Sequence, residues 1–331
     1  MSRVGLVAIG RNEGQRLEKC LNSAIASVDC LVYVDSGSTD GSVELARSLG
    51  VAVVELDLSI PFTAARARNA GFARLLELNP QIELVQFVDG DCEIVEGWLE
   101  RAQQEHDRDA DRVVVCGRRR ERFPEATLYN RLCDIEWDTP VGEALYCGGD
   151  SMMRVSALKQ VGGFNPTLIA GEEPELCVRL RQQGGKIWRV DADMTLHDAQ
   201  MTHFGQWWKR SLRAGHAYAE GAWLHGNPPE RHWVADVRRI VVWGLVIPLL
   251  AVSGIWTTND WSLLLLLGYP LMVFKIYTFF RRSLPTNQAL PYALFCMIGK
   301  IPQAQGALQF YWNKLVGKRS TLIEYNSPVP D

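Results

Sequence analysis

Leu84-Val85-Gln86-Phe87-Val88-Asp89-Gly90-Asp91 is an apolar run of strand length that stops at two carboxylates separated by one glycine. A strand buried on both faces of an α/β sheet reads as a near-continuous apolar run, and ligands of such sheets collect beyond the carboxyl ends of the strands. Asp89 and Asp91 therefore stand where a ligand sits. Side chains alternate along an extended strand, so residues two apart share a face and both carboxylates can reach one hard cation. A divalent metal bridging phosphates is the natural guest. Asp-Gly is also an ordinary turn signal, and the same residues fit a solvated turn. The neighbouring segments decide between the two.

Outward from that strand, residues 4–9, 31–34 and 51–56 have strand character. Residues 14–28 carry helical spacing through Leu17, Leu21, Ala24 and Ile25, a second helix runs to Leu49 from a cap at Asp40, and a third covers 63–78. Four strands alternating with three helices predict parallel βαβ units with right-handed crossovers. The joint after the first strand reads Gly10-Arg11-Asn12-Glu13, with no G-x-G-x-x-G, which disfavours a dinucleotide-binding domain. Beyond residue 110 the pattern is mixed: a short strand at 112–116, then Arg118, Arg119, Arg120 and Arg122, a helix at 172–183 and a strand at 186–190.

The formal net charge of −3 over 331 residues gives no electrostatic reason to expect a nucleic-acid partner. The eight cysteines are scattered singly, without C-x-x-C or zinc spacing, and are expected to be reduced and mostly buried. Met1-Ser2-Arg3 leads straight into an apolar run too short for a signal peptide, so the large N-terminal part is expected in the cytoplasm.

Residues 240–280 contain one acidic and one basic residue, Asp260 and Lys275, and this compositional shift is the main boundary. Residues 240–256 and 261–280 are each long enough, at about 1.5 Å per residue, to cross a hydrocarbon core of roughly 30 Å. A pair of buried core helices is the alternative. Arg238-Arg239 precede the first run and Arg281-Arg282 follow the second, while the loop 257–260 has no basic residue. The positive-inside rule then places both arginine pairs in the cytoplasm. Trp243, Trp256, Trp261 and Tyr277 supply interfacial anchors, and the shorter run 289–298 suits a membrane-surface or re-entrant segment. Gln206-Trp207-Trp208-Lys209-Arg210-Ser211-Leu212-Arg213 is basic and aromatic, the composition of a helix resting on anionic headgroups or of one guiding a lipid phosphate or a growing glycan. The expected division is a domain over 1–225 and a membrane-associated region over 226–331 with spans at 240–256 and 261–280.

Residues 8–13, the loop Asp35-Ser36-Gly37-Ser38-Thr39-Asp40, the helix start Ala65-Arg66-Ala67-Arg68-Asn69-Ala70-Gly71 and Asp89-Gly90-Asp91 lie in the order and approximate spacing of known motifs. Together they resemble family 2 glycosyltransferases of the GT-A fold, over about residues 4–220. The resemblance implies an α/β, Rossmann-like, mostly parallel sheet flanked by helices, with a nucleotide-sugar half (1–110) and an acceptor half (111–225), ahead of a C-terminal membrane helical hairpin. It implies that Asp35 meets the nucleobase, with Asn12, Glu13 and Ser38 bordering the same pocket. Arg66 and Arg68, beside Asn69, lie near the base or pyrophosphate, where a planar guanidinium fork matches phosphate oxygens. As surface helix charges, the same arginines need no ligand. Asp91 ligates the metal, and Asp89 contacts the ribose or the metal with its hydration shell. His197 completes the metal shell or is simply a hydrogen-bonded structural histidine; an imidazole among oxygens favours manganese over calcium. The expected cofactor is Mn2+ or Mg2+.

Tyr146-Cys147-Gly148-Gly149-Asp150-Ser151, Gly162-Gly163-Phe164 and Gly171-Glu172-Glu173-Pro174-Glu175-Leu176 resemble the family's glycine-rich acceptor segment and its E-D-x-E-L segment. In that segment the second carboxylate is the catalytic base, here Glu173 in place of the commoner aspartate, with Glu172 structural or positioning. First-turn acidic residues are also favoured by the helix dipole alone. Asp191 and Asp193 form a second D-x-D, expected as loop or capping residues. The implied activity is transfer of a sugar, with inversion, from a nucleotide-sugar donor to a hydroxyl of a glycan or lipid-linked acceptor in cell-surface polysaccharide or glycolipid synthesis. The implied location is the inner membrane, among its lipids, with the catalytic domain on the cytoplasmic face. Two alternatives stand: a polyprenyl-phosphate glycosyltransferase, and a non-catalytic membrane scaffold that senses sugar nucleotides.

Overall fold

The structure, a computed structural model, describes residues 2–318, 320, 321 and 323. It comprises two compact units, Met1–Gln200 and Met201–Asp331. The first is built on one sheet whose strands are β1 (Val4–Gly10), β2 (Cys30–Asp35), β3 (Ala52–Glu55), β4 (Leu84–Asp89), β5 (Cys92–Ile94), β6 (Arg112–Glu121), β7 (Gly142–Ala144), β8 (Ser151–Arg154) and β9 (Lys186–His197). Its helices are α1 (Gln15–Ala24), α2 (Ser42–Ser48), α3 (Ala64–Leu78), α4 (Trp98–Arg108), α5 (Leu128–Trp137), α6 (Val155–Gln160) and α7 (Glu172–Gln182).

The strand order is β3-β2-β1-β4-β8-β6-β9-β5, with β7 on β9. From β3 to β4 every pairing is parallel, as the alternating pattern predicts. Beyond β4 the sheet is mixed: β8 is antiparallel to β4 and β6, β9 is parallel to β6, and β5 and β7 run antiparallel to β9. Chain order reverses across β1, which has β2 on one side and β4 on the other. Such a switch point leaves a crevice at the strands' carboxyl ends.

Burial explains why β4 is apolar throughout: Leu84, Val85 and Phe87 are fully buried and Val88 nearly so. Each such side chain contributes roughly 1.5–3 kcal/mol on burial. Gln86, also buried, is satisfied by accepting from the Trp98 indole (2.9 Å) and donating to the Phe87 carbonyl (2.7 Å). Helix α3 starts at Thr63, whose hydroxyl accepts from the Arg66 amide, and lies hard against β1 and β2. A Cβ on Gly71 would stand 2.3 Å from Val7 Cγ1 and 2.7 Å from Val34 Cγ2, so only glycine permits that approach.

Two expected elements extend further than their apolar cores. The strand expected at 112–116 continues through the arginines to Glu121, and the strand expected at 186–190 continues to His197. Asp191 and Asp193 are therefore strand residues, not loop or cap residues, and Asp193 pairs with Arg120 (3.0 Å).

The second unit is helical. It opens with α8 (Phe204–His225), in which Trp207 is buried and packs edge-to-face on Phe295 at 4.8 Å, so this part of the basic aromatic stretch faces the unit's interior. Among the described residues one helix, Trp261–Phe280, is long and apolar enough to cross a membrane, with mean hydropathy 1.8 and none of its apolar window buried. The other expected span, 240–256, is helical but interrupted. It runs through Val234–Val241, a π-helical stretch Val242–Val246 and Ile247–Ser253, then turns at Gly254. The run at 289–298 lies in the helix Thr286–Ile298, which carries Pro291 inside it.

Candidate active site

Register aligns the strand ends: Ile9 pairs with Asp89 and with Val34, and Gly10 with Asp35. The loops after β1, β2 and β4 thus leave the sheet at one rim. Asn12 adopts a left-handed conformation (φ 57°), its amide donating to Ser38 Oγ (2.9 Å) while its side-chain oxygen accepts from the Thr39 amide (2.7 Å). Asp35 is nearly fully buried. It accepts from the Tyr33 hydroxyl (3.0 Å) and from the Gly37 and Ser38 amides (2.8 and 2.9 Å), which shapes the loop around it. Glu13 pairs with Arg16 at 2.7 Å. Burial, reinforced by the Asp91 charge and opposed by Arg16, pushes its carboxyl up to about 7. Asn12, Ser38 and Asp35 are linked by hydrogen bonds, and Glu13 follows Asn12 in the loop after β1. Arg66 instead holds the loop before α3, donating to the Asp57 and Ile60 carbonyls (2.6 and 2.8 Å). Asn69 clamps Phe164 by donating to its carbonyl (2.7 Å) and accepting from its amide (2.9 Å).

Asp89 is the centre of a buried charge network. Its Oδ1 pairs with Arg68 Nη2 (2.8 Å) and its Oδ2 with Arg119 Nη2 (3.0 Å). Arg68, 2% exposed, also reaches Glu172 Oε1 (2.9 Å) and Glu173 Oε1 (2.7 Å) through Nη1. Arg119 binds Asp150 with both Nε and Nη2 (2.8 Å each), and Asp150 further accepts from the Thr195 hydroxyl (2.6 Å) and the Asp89 amide (3.1 Å). Burial alone would raise Asp150, but Arg119 holds it below the usual carboxylate range. Gly149 sits at the centre of this network: a Cβ there would lie 2.6 Å from Arg68 Nη2, 2.9 Å from Asp89 Oδ2 and 3.3 Å from Arg119 Nη2. Gly148, one residue earlier, has open space around it.

Asp91, two residues on, faces His197 at the end of β9, with Oδ2 3.2 Å from Nε2. Burial opposes ionisation of both, yet each holds the other charged: the Asp91 carboxyl lies well below its ordinary range, and His197 is held up at about 9. Glu121 stands behind the ring, Oε2 3.7 Å from Nδ1, and Trp137 packs edge-to-face on it at 4.8 Å. The donor set suits a divalent cation. Asp91 offers an oxygen and His197, on giving up the proton it shares with Asp91 to an entering cation, a nitrogen, with the Cys92 sulfur close to both. The Cys92 thiol is fully buried, and that burial pushes it well up. Asp89 and Asp150 also lie near Cys92, but guanidinium groups occupy both carboxylates. A two-residue O,N site leaves several positions for phosphate oxygens and water.

Glu173 is 9% exposed in the first turn of α7. Burial, helped by Glu172 and Asp89 and opposed by Arg68, raises its carboxyl to about 7. That value suits a group exchanging a proton near neutrality. Glu173 is thus one guanidinium away from Asp89, and Asp89 two residues from Asp91. Arg119, Glu121, Trp137 and Thr195 are participants that sequence reasoning did not single out. Arg118 and Arg120 pair with Asp134 and Asp193, whereas Arg119 reaches Asp89 and Asp150.

Comparison with known proteins bears on the family and the fold. A family model described as "Glycosyl transferase family 2" matches residues 7–162, and one described as "N-terminal domain of galactosyltransferase" matches residues 134–204. Glycosyltransferase AglE of Haloferax volcanii is 33% identical over 98 residues, 27% of this chain and 31% of that protein. Succinoglycan biosynthesis protein ExoA of Rhizobium meliloti is 27% identical over 196 residues, 54% of this chain and 58% of that protein. The matches thus span about a third and somewhat over half of these relatives. Among solved structures, mannosyltransferase PcManGT from Pyrobaculum calidifontis, in complex with GDP-Man and Mn2+, superposes with a TM-score of 0.60 at 17% identity, covering 94% of this chain and 88% of that one. GalNAc-T7 with UDP, GalNAc and Mn2+ gives 0.50 at 14% identity, covering 72% and 55%. At such identities the likeness establishes a shared fold, the helix-flanked α/β sheet of GT-A enzymes.

Proposed function

Because this chain belongs to glycosyltransferase family 2, we propose that it moves a sugar from a nucleotide-sugar donor to a hydroxyl of a glycan or lipid-linked acceptor, with inversion at the anomeric carbon. The observation that carries this reading is the connection of Glu173 to the Asp91–His197 pair through Arg68 and Asp89 at one rim of one sheet. Asn12, Glu13, Asp35 and Ser38 form the donor side of that rim. Gly148, Gly149 and Asp150 lead into it from the acceptor side.

In this mechanism Glu173 takes the proton of the attacking hydroxyl as the nucleoside diphosphate leaves from the opposite face. Its raised carboxyl makes it a stronger proton acceptor, and taking the proton removes its charge from beside Glu172. Asp91 and His197 would hold the divalent metal, Mn2+ or Mg2+, which would supply positive charge against the negative charge building on the leaving group. Glu121 and Trp137 fix the His197 ring that would face the metal, the role that outer partners of ligating histidines play generally. The exposed apolar helix Trp261–Phe280 supports membrane attachment, and the flanking arginines support a catalytic unit on the cytoplasmic face of the inner membrane, in polysaccharide or glycolipid synthesis. The same helix favours, as a second reading, a polyprenyl phosphate as acceptor. Such a phosphate is already anionic and needs no base, and the raised Glu173 weighs against it.

Membranes containing the protein, incubated with radiolabelled sugar nucleotides, test the proposal. One donor is expected to lose its label to acceptor or water in the presence of Mn2+, with the loss abolished by chelation and by Asp91→Ala. No turnover of any nucleotide sugar with Mn2+ or Mg2+ refutes it.

A further inference from the structure

We infer that Arg68 is a positioning residue for Glu173: its guanidinium fixes the spacing between the base and Asp89, and it acts on turnover through Glu173 instead of gripping the donor diphosphate. The inference rests on the reading of Glu173 given above.

Three observations carry it. First, Arg68 is enclosed, with its side chain 3% exposed and the Phe164 ring 5.7 Å from its guanidinium carbon. An arginine that binds phosphate presents an open fork, and this one has none to present. Second, both terminal nitrogens are committed to carboxylates on different elements. Nη1 serves Glu172 and Glu173 on α7, and Nη2 serves Asp89 at the end of β4. Turning Nη1 toward a phosphate would leave the buried Glu172 and Glu173 without this partner, which is costly in a desolvated site, and turning Nη2 would leave Asp89 to Arg119 alone. Third, the backbone closes around the same nitrogen: the Cβ position of Gly149 lies 2.6 Å from Nη2, so the glycine-rich segment leaves it room for this arrangement and little else.

The consequence is geometric. Helix α7 and strand β4 are joined here by one planar, rigid group whose two nitrogens define a fixed separation. An ammonium carries the same charge but is a single point and cannot span the two carboxylates. Base and donor-side carboxylate therefore keep their spacing only with arginine at this position. Asn69, one residue along α3, adds a parallel tie by clamping the Phe164 backbone, so α3 holds the acceptor-side segments at two points.

Arg68→Lys, which preserves charge, and Arg68→Met test this in the full chain with the donor identified by the radiolabel screen. Folding is checked by circular dichroism, and Arg68→Lys decides the matter where Arg68→Met does not fold. The expected result for Arg68→Lys is a fall in kcat of about 100-fold, the scale set by a misplaced catalytic group, with the donor KM and the affinity for nucleoside diphosphate with Mn2+ changed by no more than about twofold. A donor KM raised about tenfold or more with kcat unchanged shows removal of uniform binding, and overturns the assignment in favour of a donor contact. An Arg68→Lys variant with wild-type kcat also overturns it. Wild-type protein inert toward every nucleotide sugar refutes the reading of the site itself, a different outcome from an active wild type with a donor-side defect in the variant.

Discussion

Arg119→Met removes the partner of the most deeply buried carboxylate in the network, and its cost follows from the geometry. Asp150 has a fully buried side chain and is bound bidentately by Arg119, itself 17% exposed. Without the guanidinium, Asp150 keeps only the Thr195 hydroxyl and the Asp89 amide. Removing one partner of a buried pair costs about 3–5 kcal/mol. At roughly 2–4 °C per kcal/mol for a unit of this size, the melting temperature falls by roughly 6–20 °C. The pH dependence has a definite sign. In the wild type Asp150 lies below its unfolded value of about 3.9, so its contribution is complete above that value and is lost as pH falls through the folded one. In the variant burial is opposed only by the Thr195 and Asp89 hydrogen bonds, the folded value moves up, and the penalty disappears as the carboxyl protonates. The gap between variant and wild type therefore narrows as pH falls toward the ordinary carboxylate range. Calorimetry of the detergent-solubilised full chain measures both effects. Arg120→Met is the control, because Arg120 and Asp193 are 46% and 38% exposed, and such a pair is worth about 0–1 kcal/mol. A drop for Arg119→Met no larger than that of Arg120→Met, or a gap that stays constant on acidification, refutes the reasoning.

Gly71→Ala overpacks the α3 interface, since its Cβ meets Val7 and Val34 at 2.3 and 2.7 Å, and is expected to cost about 1–3 kcal/mol in denaturant unfolding. Adding Val7→Ala should recover part of that loss, and strict additivity of the two substitutions contradicts the contact. With Glu173 raised to about 7, transfer to a hydroxyl acceptor should decline as pH falls below about 7, because the base is then protonated. The same shift makes Glu173 a stability cost that develops as pH rises from about 4.5 toward 7, and a kinetic limb near pH 5 contradicts the burial argument.

The parallel half of the fold was readable because its strands are buried on both faces, and their apolar runs end abruptly in Asp35 and Asp89. The mixed half was less so. Residues 117–121 continue strand β6 through three arginines and two register shifts, at Cys116/Arg118 and Arg118/Arg119, that no apolar pattern announces. Arg119 escaped notice for that reason, and because its partners, Asp89 and Asp150, come from distant parts of the chain. Arg68 shows a different limit. A guanidinium looks the same in sequence whether it faces phosphate, solvent or three carboxylates, and only burial tells them apart. In the second unit, composition at 240–256 reads as one continuous helix and does not show the π-helical stretch at Val242–Val246.

Glu173 is where the proposed chemistry is most exposed to test. Glu173→Gln keeps the shape and the oxygen that faces Arg68 while removing the ability to take a proton. Steady-state transfer to the hydroxyl acceptor, measured alongside nucleotide-sugar affinity, is predicted to fall by about 10²–10⁴-fold with donor affinity unchanged. Turnover equal to that of the wild type contradicts the assignment of Glu173 as the base.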